Sequence, residues 1–155
     1  MRSRPGACQG SAADDQALSF LLDTNVISEA RRPRGDANVK AWMRSVPASS
    51  LYLSVLVVGE IRRGIKRLRR RDAAQARIYE SWLATLVDEY ADRIIPITAD
   101  MAEEWGRLNV PDSLPVVDCL IAATARVRGL TLVSRDIADV IRTGVPVLNP
   151  FEHVR

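Results

Sequence analysis

The chain has 155 residues, 47% hydrophobic and 26% charged, with a formal net charge of +3. That is enough for one domain with its own core, in the range of an ordinary soluble globular protein, and no apolar run approaches the roughly 20 residues that span a bilayer. The mild positive excess permits a polyanionic partner without requiring one.

Residues 1–16 lack both periodicity and the apolar centre of an export signal, and are read as a disordered tail or an over-long start before a single domain over 17–155. Cys8 and Cys119 make no disulfide framework, so a reducing cytoplasm is the expected setting. Ser19–Leu22 reads as a short buried strand that runs straight into Asp23. A short helix from about Asn25 is interrupted by Pro33 and Gly35; Asn38–Arg44 predicts a second helix, and Leu51–Ser54 a second strand. Val57, Val58, Ile61, Ile65 and Leu68 recur at helical spacing and define a helix over about Val55–Arg70. Gly64 lies one turn after Glu60 in it, where a glycine costs about 1 kcal/mol against alanine; close packing or ligand access is expected to offset that cost.

Asp72 starts a long helix to about Tyr90, Ile94–Ile97 predicts a third strand, and Thr98 caps the helix bearing Glu103 and Glu104. After the Asp112–Pro115 loop, Val116–Arg128 is a helix rich in small residues that Gly129 ends. Leu130–Val133, Ile137–Arg142 and Val145–Leu148 complete the chain as strand, short helix and strand. Alternation of this kind calls for parallel pairing with right-handed crossovers. The predicted class is α/β, with one parallel sheet of four to five strands flanked by helices.

Four acids fall at corresponding places in this pattern. Asp23 ends the first strand, Glu60 lies in the first turns of the helix after the second, Asp118 opens the helix before the fourth, and Asp136 follows the fourth directly. In a parallel sheet all four lie at one edge, where α/β proteins bind their ligands. Carboxylates so close together repel, and no Lys or Arg adjoins Asp23 or Asp118 in sequence. A hard cation with oxygen ligands, Mg²⁺ or Mn²⁺, resolves the conflict; it can activate a water and stabilise charge on a phosphate, as phosphodiester hydrolysis requires. Taken singly, each acid also fits a plainer role: Asp23, Asp118 and Asp136 as N-caps, Glu60 as a solvated helix residue.

The residues around these acids carry a family resemblance. The run Leu21–Glu29 (LLDTNVISE) resembles the opening motif of PIN-domain ribonucleases, Gly59–Ile65 (GEIRRGI) their second, Asp118–Ala125 (DCLIAATA) their third, Leu132–Asp136 (LVSRD) their fourth, and Val147–Phe151 (VLNPF) their ending. The matches run in family order from about Leu18 to Phe151. Within the family the chain is most similar to VapC-type toxins of bacterial toxin–antitoxin pairs, including the FitB-like branch. The resemblance implies a PIN-like three-layer fold and makes Asp23, Glu60, Asp118 and Asp136 a metal-binding quartet supported by Thr24, Asn25 and Ser134. Asp139 stands near a frequent acidic position of the last motif and competes with Asp136. Val140 replaces the usual aromatic there, which leaves the local packing open. It also implies RNA cleavage, a homodimer, and a cognate antitoxin whose peptide enters the active-site groove, with a larger assembly on operator DNA.

Arg62, Arg63, Lys66, Arg67, Arg69, Arg70 and Arg71 form a basic run on and just beyond the Glu60 helix. Arg62, Lys66 and Arg69 share one face, and Arg63, Arg67 and Arg70 another. The run fits a solvated face, a phosphate track leading to the acids, or a surface for an acidic antitoxin. Trp42, Trp82 and Trp105 read as core or interface residues, and His153 as a surface residue rather than a general base. The sequence thus predicts a Mg²⁺- or Mn²⁺-dependent endoribonuclease toxin. The alternative is a non-catalytic protein that uses the same fold to bind an antitoxin and operator DNA. A phosphoacceptor receiver domain is excluded, because it needs a late lysine and the only lysines are Lys40 and Lys66.

Overall fold

The computed structural model describes residues 18–152. The predicted tail over 1–16, Cys8 and His153 lie outside the described residues. Strand β1 (Phe20–Leu22) is buried along its whole length because it pairs on both sides, with β2 (Leu51–Ser54) and β4 (Thr131–Val133). Leu22 stands level with Leu53 and Val133 in this register, so the strand ends line up. With β3 (Ile94–Ile95) and β5 (Val147–Leu148) at the edges, the five strands are all parallel, in the order β3-β2-β1-β4-β5. The connections leave β1 toward β2 on one side and later return to β4 on the other. Such a reversal opens a crevice beyond the carboxyl ends of the central strands.

Four strands are shorter than the sequence predicts: β1 and β4 each start one residue later, at Phe20 and Thr131, and the two edge strands each lose two residues. β3 stops at Ile95, where Pro96 removes the next backbone donor. β5 starts only at Val147, after Pro146.

Helices fill the connections. Helix α1 (Thr24–Arg31) follows β1, and α2 (Ala37–Ser45) follows a turn at Gly35. The Asp36 carboxylate caps α2 by accepting from the Asn38 and Val39 amides. Helices α3 (Val55–Arg69) and α4 (Ala73–Glu89) pack as an antiparallel pair between β2 and β3, with Ser54 and Asp72 as N-caps. Helices α5 (Ala99–Leu108) and α6 (Val116–Arg128) pack as a second pair. Thr98 caps α5, and Gly129 ends α6 in the left-handed region at φ 65°. The predicted helix over Ile137–Arg142 divides into a single α turn, α7 (Ile137–Val140), and a 3₁₀ turn.

Leu21, Leu22, Leu53, Val57, Ile121, Leu132 and Val133 form the centre of the core. Trp42 joins it, edge-on to Phe20 with ring centroids 5.1 Å apart. Val140 is buried too, so the smaller residue is accommodated. Among the described residues no helix is long and apolar enough to cross a membrane.

Candidate active site

Asp23 sits in the crevice because β1 ends at Leu22 and the chain turns into α1. Its backbone amide donates to the Val133 carbonyl at 2.9 Å, tying the ends of β1 and β4 together. Its side chain is the N-cap of α1, with Oδ1 accepting from the Thr24 amide at 2.7 Å. The other oxygen, Oδ2, accepts from the Ser134 hydroxyl at 2.8 Å. The capping role and the place in the acid cluster therefore coexist in one residue.

The remaining acids arrive from three connections. Glu60 projects from the second turn of α3, where the Thr24 hydroxyl donates to its Oε2 at 2.6 Å. Asp118 lies in the first turn of α6, whose N-cap is Pro115 rather than Asp118; an anion is favoured there by the helix dipole. Asp136 follows β4 as the backbone N-cap of α7 without a capping side-chain bond. Instead the Asn25 amide donates to its Oδ2 at 3.4 Å and to the Ser134 hydroxyl oxygen at 3.5 Å, while the Asp136 amide donates to that same hydroxyl at 3.1 Å. Thr24, Asn25 and Ser134 thus each bond directly to an acid.

Electrostatics register the crowding. Burial, then the charges of Glu60 and Asp136, raise the Asp23 carboxyl above the usual range, against the lowering effect of its two hydrogen bonds. Burial raises Asp118 as well, followed by the charges of Asp23, Glu60, Asp136 and Asp139. Asp136 acts on both central carboxylates, whereas Asp139 acts on Asp118. Between the two competing positions, Asp136 is therefore the one tied into the network around Asp23, with Asp139 on the Asp118 side. Among the described residues no Lys or Arg forms an ion pair with any of the five.

The donor set is oxygen only and short of positive charge, which suits a hard divalent cation. As they stand, no three acidic, histidine or cysteine side chains among the described residues form a compact ligand group; drawing the carboxylates onto one ion requires side-chain rotation, which the exposed Asp136 permits.

Gly64 is not closely packed. A Cβ there would meet nothing within 4 Å, so of the two expected reasons for a glycine, open space remains. That space belongs to a cavity of about 380 Å³ lined by Thr24, Glu60, Gly64, Arg71, Tyr79 and Trp82, among others. Glu60 also borders a second hollow with Arg63 and Val117. Trp82 is half-buried at the cavity wall rather than in the core. Sequence reading missed the cavity and Tyr79, because their only signal is a tertiary one, the packing of α4 across α3. In the basic run, Arg62 and Arg69 both pair with Glu80 of α4, while Arg63, Lys66, Arg67, Arg70 and Arg71 have no carboxylate partner among the described residues and are exposed.

A parallel sheet of this order with acids at its central carboxyl edge is the architecture of a PIN domain, and the PIN domain family matches residues 20–143. The chain belongs to that family. It is 32% identical over 140 residues to Toxin FitB of Neisseria gonorrhoeae, covering 85% of this chain and 98% of that protein. The crystal structure of FitAcB from the same organism aligns with a TM-score of 0.80, 31% identity, and 86% and 99% coverage. The chain is also 33% identical over 141 residues to VapC ribonuclease Y4jK of Sinorhizobium fredii, covering 86% and 98%. A toxin–antitoxin complex from Klebsiella pneumoniae is similar at a TM-score of 0.62 and 27% identity, covering 85% and 98%.

Proposed function

We propose that this protein is the toxin of a toxin–antitoxin pair, a Mg²⁺- or Mn²⁺-dependent endoribonuclease. The observation that carries the reading is the gathering of Asp23, Glu60, Asp118 and Asp136 at one sheet edge, with no basic side chain among the described residues paired to them. Likeness to Toxin FitB and to a VapC ribonuclease over nearly the full length of both supports it.

Asp23, Glu60, Asp118 and Asp136 would hold the ion, with Asp139 beside Asp118. When bound, such an ion supplies charge stabilisation for the phosphate and a lowered pKa for an attacking water. The Thr24 hydroxyl holds the Glu60 carboxylate, and the Ser134 hydroxyl holds that of Asp23. Asn25 ties Asp136 to the same hydroxyl. These bonds fix carboxylate orientation before substrate arrives, which is how a site avoids reorganisation during reaction. Of these four ligands the Asp118 side chain alone has no hydrogen-bond partner among the described residues, which leaves it free to orient a water. The exposed arginines and lysine after Glu60 are suited to a polyanion, and Arg62 can leave its exposed pair with Glu80 at little cost.

A cognate antitoxin belongs to the same reading, supported by the likeness to a toxin–antitoxin complex, and so does a larger assembly on operator DNA, supported by the likeness to FitAB bound to a DNA fragment; a homodimer and action in the cytoplasm are proposed with them. The test is cleavage of a panel of structured RNAs by wild-type protein and by Asp23→Asn purified identically, with Mn²⁺ or Mg²⁺ against a chelator. We expect metal-dependent cuts by the wild type and a loss of at least a hundredfold in the variant, the scale for removing one preorganised charged group. Equal cutting by both proteins would refute the site assignment; metal-independent RNA binding without turnover would favour the non-catalytic alternative.

A further inference from the structure

Arg31 ends α1, outside the motifs that define the site, and is half-buried. Its guanidinium carbon lies 4.0 Å from the centre of the Tyr79 ring and 5.0 Å from that of Trp82. The two rings meet edge to face at 82° and form a corner. Among the described residues Arg31 has neither a carboxylate partner nor a side-chain hydrogen bond. An arginine usually reaches such a position to meet an acid; here stacking holds the planar group, while its in-plane N–H donors remain available. That combination suits bidentate recognition of a phosphate.

The surroundings extend the pattern. Arg31, Arg32, Arg34, Gln75 and Tyr79 line a hollow of about 490 Å³. Tyr79 also lines the cavity that reaches Thr24 and Glu60. Tyr79 borders both hollows, so the aromatic corner stands between the acids on one side and a cluster of arginines on the other. Alternating ring and guanidinium match the alternating base and phosphate of a single strand.

We propose that Arg31, clamped by Tyr79 and Trp82 and flanked by Arg34, binds a phosphate of the RNA strand as it leaves the acidic site. This rests on the ribonuclease reading and adds a strand direction to it: along α1 and α4 as well as the α3 arginines.

The experiment measures anisotropy of a fluorescein-labelled oligouridylate of about twelve nucleotides, within the span of ~4–16 for single-strand sites. It uses full-length Asp23→Asn protein, alone and combined with Arg31→Ala, Arg31→Lys or the control Arg107→Ala, over a salt series. Arg31→Ala is expected to weaken binding about tenfold and to make the slope of log K against log salt shallower by ~0.7, the value for one phosphate contact on a single strand. Arg31→Lys, which keeps the charge but not the planar stack, should retain the slope and lose part of the affinity; it also serves if the alanine variant fails to fold. Arg107→Ala, on the exposed face of α5, should change neither. Unchanged affinity and slope for both Arg31 variants would overturn the proposal. If wild-type protein cuts RNA while the Arg31 variants bind as their Asp23→Asn parent does, this subsite alone falls; if the wild type does not cut and the Asp23→Asn parent does not bind, the ribonuclease reading falls with it.

Discussion

Asp118 stands among four other carboxylates, and its side chain has no hydrogen bond among the described residues to favour the ionised form. Burial comes first among the causes that disfavour that form, and the charges of Asp23, Glu60, Asp136 and Asp139 follow. Its carboxyl is raised in the folded protein relative to the unfolded chain, so the folded state holds the proton more tightly. Stability linked to this group therefore grows as pH falls through the raised value and is lost as pH rises through it. Asp118→Asn removes the ionisation altogether. At neutral pH and in chelator it should stabilise the protein, by less than about 1 kcal/mol because solvent screens a part-exposed group. The gain should shrink as pH is lowered into the range where the wild-type group is protonated. Thermal midpoints of both proteins against pH check this, and a variant less stable at neutral pH would contradict it.

At the scale of elements, the glycines separate backbone demands from open space. Gly35 joins α1 to α2, and a Cβ there would collide with the Glu29 carbonyl. Gly64, in the middle of α3, would carry a Cβ into empty cavity. Gly64→Ala should therefore stabilise the fold by about 1 kcal/mol through helix propensity, whereas Gly35→Ala should destabilise it by more than that. Urea unfolding of the two variants decides. If Gly64→Ala is destabilising, the cavity is not open as described. The helix bounds themselves were legible in sequence wherever a local signal marked them. Val116–Arg128 is recovered end to end because Pro115 and Gly129 bracket it, and α3 to within one residue because Ser54 caps it. The edge strands run two residues shorter than the sequence predicts, against one for the central β1 and β4, because a strand ends where its neighbour's hydrogen bonds end and β3 and β5 each have a neighbour on one side only.

The whole molecule brings together carboxylates that are far apart in the chain, and a cation that relieves their repulsion should stabilise the entire fold. Mn²⁺ at about a hundred times its dissociation constant should add about 2.7 kcal/mol, read as a rise in thermal midpoint at fixed pH, and Asp23→Asn should lose most of that rise. An equal rise in the variant would place the ion elsewhere. The sequence by itself determined the α/β class and the order of the elements, because apolar periodicity and caps are local, and its short motifs pointed to the acids with Thr24, Asn25 and Ser134 through their family resemblance. Only the tertiary structure decided the rest. That Thr24 holds Glu60, that Ser134 joins Asp23 to Asp136, that Glu80 takes Arg62 and Arg69, and that Arg31 rests on Tyr79 and Trp82 all depend on which helices cross which strands. Contacts of that kind join residues with no periodic relation in the chain, and they exist only once the sheet order β3-β2-β1-β4-β5 has set one connection beside another.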